Sequence, residues 1–106
     1  MFSKKVRLPM AEMGKVFSKT FSSPWFLLKS RKNDKGFNRF ATIISNKAVP
    51  KSTHRHFYKR FFASRLMLWP NLGKDCIIIA SPRFESVTHE ILDSQIEAAL
   101  ENILKK

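Results

Sequence analysis

The sequence predicts a small α+β layer fold, with elements in the order helix, two strands, helix, strand, helix. Three observations carry this prediction. Trp25–Leu28 and Arg39–Ser45 are runs of aromatic, leucine and β-branched residues separated by a polar connection. Asp75–Ala80, DCIIIA, is a short continuous apolar run, the mark of a central strand covered on at least one face. Leu92, Ile96, Ala99, Leu100 and Ile103 recur at helical spacing and make one apolar stripe.

In chain order, residues 1 to 8 are basic and read as loose. Pro9 opens a short helix over Met10 to Lys19, in which Met13 and Phe17 share a face and Gly14 weakens the helix. Ser22-Ser23-Pro24 is a turn signal, followed by the first strand. Arg31 to Gly36, RKNDKG, suits a hairpin loop, so the two strands are expected to pair antiparallel. Pro50 marks the start of a helix that runs to about Leu68 and is ended by Pro70, Asn71 and Gly73. Ser81-Pro82 stops the third strand. The last helix spans about Val87 to Leu104. Ser86 or Thr88 is its cap, Glu90 and Asp93 sit at its positive end, and Lys105 and Lys106 at its negative end.

A length of 106 residues fits one domain, residues 1–106, with one modest core. Hydrophobic content of 43% marks a folding sequence and not a disordered basic tail. The net charge of +12 makes an anionic partner the leading expectation, nucleic acid before an anionic membrane surface. The charge is segregated: residues 36 to 74 contain no Asp or Glu, and six of the eight acids lie from Asp75 onward. The acidic last helix is therefore expected to lie away from the binding face. Cys76, the single cysteine, has no internal disulfide partner and sits in the apolar run as a core thiol. No apolar run approaches the ~20 residues of a membrane span. The N-terminus lacks a secretory apolar core. It is basic and acid-poor like a transit peptide, but losing ~25 residues would remove much of the domain.

Ser45 to Arg65 concentrates the charge in Lys47, Lys51, Arg55, Lys59, Arg60 and Arg65, with no acid among them. At ~100° per residue, Lys51, Arg55 and Lys59 share one arc of the helix, and Phe57, Phe61 and Leu68 share another. A row of cations suits a phosphate backbone, because each displaces a condensed counterion. Phe17, Phe26, Phe57, Tyr58 and neighbouring aromatics interleave with this charge. Most belong to the core, and those left exposed beside Lys or Arg would stack on unpaired bases.

The same residues argue against catalysis by the chain itself. His54 and His56 are two apart, on different sides of a helix, and His89 is alone, so zinc spacing is absent. Glu90, Asp93, Glu97 and Glu101 read as the solvated face of the last helix. There is no nucleophile elbow, and Gly14, Gly36 and Gly73 are too far apart to form a phosphate loop.

Several motifs occur in a telling order. Val16-Phe17 and Ser22-Ser23-Pro24 come first, and Ile44-Ser45-Asn46-Lys47 ends the second strand. Arg55-His56-Phe57-Tyr58-Lys59-Arg60 lies on the basic helix, and Gly73-Lys74-Asp75 leads through Ile77-Ile78-Ile79 to Ala80-Ser81-Pro82. Thr88-His89-Glu90 opens the last helix and Leu104-Lys105-Lys106 ends it. From roughly Val6 to Lys106 the series resembles the protein component of bacterial ribonuclease P, whose motifs include V-S-K-K, R-N-R-x-K-R and G-x-D-x-x-x-x-A-R-P. In this chain His56 stands at the motif's Asn and Phe57 at its second Arg. Ala63-Ser64 replaces the next basic-acidic pair, and Met13 takes an aromatic position of the first helix.

The resemblance implies a two-layer sandwich with a mixed sheet of about four strands, three helices and a left-handed crossover, the ribosomal S5 domain 2-like class, against the general right-handed rule. It implies a protein that does not cut RNA itself. A large RNA subunit with Mg²⁺, bound mainly by that RNA, cleaves precursor tRNA to make the mature 5′ end. Arg55, His56, Lys59 and Arg60 would contact the RNA subunit, and Lys47 and Lys51 would add phosphate contacts. Met13, Phe17, Phe26 and Arg65 would line a cleft for the single-stranded 5′ leader. The partners would be ribonuclease P RNA and precursor tRNA, in the cytoplasm, with no membrane and no obligate protein partner. Two rivals remain: a general RNA-binding structural protein such as a ribosomal protein, and a peripheral membrane domain inserting Phe57, Phe61 and Phe62.

Overall fold

The first turn is made by one serine. In the computed structural model, which describes residues 6–9, 17–82, 84 and 88–104, the Ser23 hydroxyl accepts the amide protons of Trp25 and Phe26 at 3.3 and 3.1 Å. It also donates to the Phe26 carbonyl at 3.1 Å. This serine turn joins β1 (Lys19–Ser22) to β2 (Phe26–Lys32) as an antiparallel hairpin. β3 (Arg39–Ile43), α1 (Ser52–Leu66), β4 (Lys74–Ala80) and α2 (His89–Leu104) follow. The strands form one mixed sheet in the order β1-β2-β4-β3, with β4 antiparallel to β2 and parallel to β3.

Two expectations are corrected here. β2 and β3 do not form a hairpin, because β4 lies between them. The central place pairs a strand on both edges and covers both faces, so it goes to the most apolar run, in which Ile77 and Ile78 are buried on opposite sides. The polar loop from residue 33 to 38 therefore spans the width of an intervening strand, about 10 Å at ordinary strand spacing. Lys19 is in β1, not at a helix end; β1 was hidden by the serines that follow it. The expected helix over Met10 to Lys19 otherwise falls largely on residues outside those described, as do Ser86, Val87 and the final lysines.

Both helices contribute to one core on a single face of the sheet. Phe26 and Leu28 of β2, Phe40 of β3, and Cys76, Ile78 and Ala80 of β4 meet Phe61, Phe62 and Leu66 of α1 and Leu92, Ile96, Ala99 and Ile103 of α2. Each fully buried aromatic or aliphatic side chain contributes about 1.5–3 kcal/mol of transfer free energy. The α2 stripe is as predicted, with Leu100 half-buried at its margin. Thr88 is the cap: its Oγ1 accepts the Ile91 amide at 3.2 Å.

The opposite face carries a smaller cluster of Leu8, Ala41 and Ile77, with Phe17 and Ile79 packed against it. Leu8 is not loose: it is buried, and its amide donates to the Phe40 carbonyl at 2.8 Å along the β3 edge. Among the described residues, no helix is long and apolar enough to cross a membrane.

Candidate nucleic-acid interface

α1 divides into two halves. Phe61, Phe62, Ala63 and Leu66, all in its second half, are buried; no residue from Ser52 to Arg60 is fully buried. The helix begins two residues after Pro50, because Lys51 is extended at φ −83° and ψ 127° and serves as N-cap without a side-chain cap bond. The expected apolar arc is also corrected. Leu68 is 84% exposed and Phe57 46% exposed, while Phe62 and Leu66 fill the core with Phe61. Positions 58, 62 and 66 recur every four residues, so the buried stripe runs through them.

The exposed half carries the predicted cations. Lys47, Lys51, His56 and Arg60 are exposed, and Arg55 and Lys59 are partly so. Lys47, Lys51, Lys59 and Arg60 make no ion pair with a described residue. Arg55 has a structural bond as well: its Nη1 donates to the carbonyls of Val49 and Pro50 at 2.8 and 2.9 Å. It thereby fixes the segment that brings Lys47 and Lys51 to the start of the helix. The result is a projecting basic half-helix, which electrostatics suits to a phosphate backbone.

Of the residues expected at the leader cleft, Phe17, Phe26 and Arg65 are not brought together. Phe17 packs on the open face of the sheet, with the Arg31 guanidinium 4.8 Å from its ring centroid. Phe26 is 1% exposed and packs on Phe62 in the core between sheet and helices, so it has no surface to offer RNA; the expectation for it is withdrawn. Arg65 belongs to the helical layer, where its Nε donates to Asp93 Oδ1 at 2.8 Å and its guanidinium lies 3.8 Å from the Phe61 ring centroid. Met13 lies outside the described residues.

α2 does not stand apart from α1. Besides the Arg65–Asp93 pair, His89 stacks on Phe57 with ring centroids 5.4 Å apart and planes at 24°. Nothing in the sequence signals that pair, because only the tertiary fold brings the two helices together.

A second feature invisible to sequence reasoning is a buried ionic cluster on the open face. Asp75 sits between Arg31 of β2 and Arg39 of β3 by strand register. Both guanidiniums reach its carboxylate, and Asn33 Nδ2 donates to it at 2.8 Å. Burial alone would push this carboxyl up, but the bonds from Arg39, Asn33 and Arg31 outweigh that effect and hold it below the ordinary value of 3.8. Burial, followed by the Asp75 charge, pushes the Cys76 thiol up to about 12, so it stays neutral and unreactive.

Among the described residues no three His, Cys, Asp or Glu side chains are placed to hold a metal ion, and Asp75 is already occupied by its Arg and Asn partners.

Known proteins of similar structure are ribonuclease P proteins. The chain is similar to a Staphylococcus aureus RNase P protein, a mutant with defective mRNA degradation activity, at TM-score 0.81 and 19% identity, covering 92% of this chain and 87% of that one. It is also similar to the RNase P protein from Thermotoga maritima in complex with 1-(4-fluorophenyl)-2-thiourea, at TM-score 0.66 and 22% identity, covering 77% and 82% of the two chains. These likenesses show the fold. No curated protein sequence matches significantly. The family model for ribonuclease P matches residues 11–104, nearly the whole chain, and it includes both the basic half-helix and the strand that carries Asp75. The chain belongs to the ribonuclease P protein family and is a protein subunit of that ribonucleoprotein.

Proposed function

We propose that the whole chain acts as a single RNA-binding domain that docks on the catalytic RNA of ribonuclease P through the projecting half of α1. One observation carries the reading: nine consecutive positions, Ser52 to Arg60, include no fully buried residue, and they present cations without acidic partners among the described residues. In this reading Lys47, Lys51, Arg55, His56, Lys59 and Arg60 meet the RNA subunit, and the bound 5′ leader of precursor tRNA runs over the sheet face that carries Phe17. The chain supplies position and charge, lowering phosphate repulsion between two RNAs. Cleavage chemistry belongs to the RNA subunit, with Mg²⁺ held by that RNA, in the cytoplasm. The complete fold, in the same proposal, has a third helix before β1 and a left-handed β3–α1–β4 crossover of the S5 domain 2-like class.

The test is 5′ cleavage of precursor tRNA by a bacterial ribonuclease P RNA with and without the purified chain. The chain is expected to lower the Mg²⁺ concentration needed, and to favour precursor over mature tRNA in competition. Folded protein that leaves the Mg²⁺ requirement unchanged would refute the proposal. Equal binding of both tRNAs would point to a general RNA-binding protein instead.

A further inference from the structure

The groove between α1 and the start of α2 does not follow from a row of phosphate contacts. It measures about 520 Å³ and is lined by Phe57, Arg60, Phe61, Ser64, Arg65 and His89. Among the described residues its lining contains no acid. Phe57 stacks on His89 and leaves 46% of its surface exposed, an unusual degree for a phenylalanine in a folded domain. Phe61 closes the floor, tilted against both rings at 6.3 Å from Phe57 and 5.2 Å from His89. Arg60 is exposed at the rim and makes no ion pair with a described residue, whereas Arg65 is already held by Asp93.

This arrangement is a short aromatic stack with one available cation, Arg60, beside it among the described residues. A flat π-face takes a flat π-face, and the cation takes the charge attached to it. The chemistry that matches both is a nucleobase joined to a phosphate.

We propose that the Phe57–His89 groove receives one unpaired nucleotide of RNA, its base stacked on Phe57 and its phosphate on Arg60. The proposal rests on the reading of the chain as an RNA-binding subunit, and it adds base recognition to what would otherwise be backbone contact alone. A bulged or looped-out residue of the RNA partner would supply such a nucleotide, because paired bases present no free face.

The experiment uses the full chain, pentaadenylate and an abasic oligonucleotide of the same length, followed by NMR. Pentaadenylate is expected to shift the ring protons of Phe57 and His89 upfield and the abasic strand to leave them in place. Phe57→Ala and Phe57→Leu should weaken pentaadenylate binding roughly tenfold, the loss of about one base stack, while abasic binding is unchanged. Phe57→Arg should erase the difference between the two strands and steepen the salt dependence by about one phosphate contact. Equal binding of both oligonucleotides by the wild type, or silent ring protons, overturns the proposal. So does a ring response to phosphatidylglycerol vesicles in place of pentaadenylate, which would make the groove a lipid contact. If cleavage is stimulated while the rings stay silent, the groove assignment fails and the subunit reading stands. If the rings respond to the base and cleavage is not stimulated, the groove is supported and the subunit reading fails.

Discussion

Arg39 meets Asp75 across the β3–β4 pair through two bonds of 2.8 Å, Nε to Oδ1 and Nη2 to Oδ2. Arg31 approaches the same carboxylate from β2, Nε and Nη2 donating to Oδ2 at 3.1 and 3.0 Å. One buried anion thus ties three strands. In Asp75→Asn the two guanidiniums, with side chains only 11% and 13% exposed, lose the carboxylate charge that both of them bond. Removing one partner of a buried ionic group costs about 3–5 kcal/mol. Urea unfolding is expected to show an unfolding free energy lower by that amount, seen as a lower midpoint with an unchanged slope. A variant within 1 kcal/mol of wild type would mean that the cluster is incidental.

The same carboxylate makes stability depend on acid. Its folded pKa lies below the ordinary value of 3.8, so the unfolded chain binds the proton first as pH falls. Asp75 therefore stabilises the fold fully above about that value, and the stabilisation is lost as pH drops through the lower folded pKa. Unfolding curves of wild type and Asp75→Asn should converge below pH 3.8. A constant gap from pH 7 down to the acid limit would contradict this.

The cations of α1 are expected to act on RNA in two ways. Lys59→Glu should weaken binding of ribonuclease P RNA and reduce the slope of log affinity against log salt by about one unit, with no loss of folding stability. Arg55→Glu should do the same and also lower the melting temperature, because its Nη1 bonds to Val49 and Pro50 are lost. Salt titrations beside thermal melts separate the two effects. Equal slopes for wild type and Lys59→Glu would move the RNA surface elsewhere.

Core and surface leucine or aromatic positions of the same helix should differ sharply. Phe62 has no exposed surface and packs against Phe26 and Phe84, so Phe62→Ala should cost about 3–5 kcal/mol. Leu68 is 84% exposed, so Leu68→Ala should change stability by no more than about 0.5 kcal/mol. Chemical unfolding of both variants checks which residues make the buried side.

Cys76, buried and neutral until about pH 12, should not react with iodoacetamide at pH 8 in the folded chain. Modification should appear only when denaturant opens the core. Rapid labelling of folded protein, read by mass spectrometry, would show that β4 is more accessible than its packing indicates.

Local pattern accounts for what could be read from the chain. The apolar run at Cys76–Ala80 announced a central strand, and it is central; the Leu92–Ile103 stripe announced the buried side of α2. Segregated charge announced the basic half of α1. What could not be read were the facts that depend on distant partners. Polar residues at 33–36 look the same whether the strands they join are neighbours or one place apart, so the β2–β3 pairing was misjudged. Asp75 reads as the leading edge of an apolar run until register places Arg31 and Arg39 on either side of it. Phe57 and Phe61 look equivalent at helical spacing. Phe57 stays half-open and Phe61 does not, because α2 arrives over one side of the helix.

The position of β4 has a consequence for how the chain acquires its shape. The strand that joins β2 to β3 is made after both of them and after α1, so the sheet has no centre until residues 74–80 have emerged. Before that point β3 lacks the strand it pairs with, and the hairpin of β1 and β2 has one edge open. Two-stranded pieces of this kind are marginal in water. Folding must therefore wait for a distant segment to be threaded between strands already synthesised, a non-local step that slows folding and leaves sticky edges uncovered in the interval.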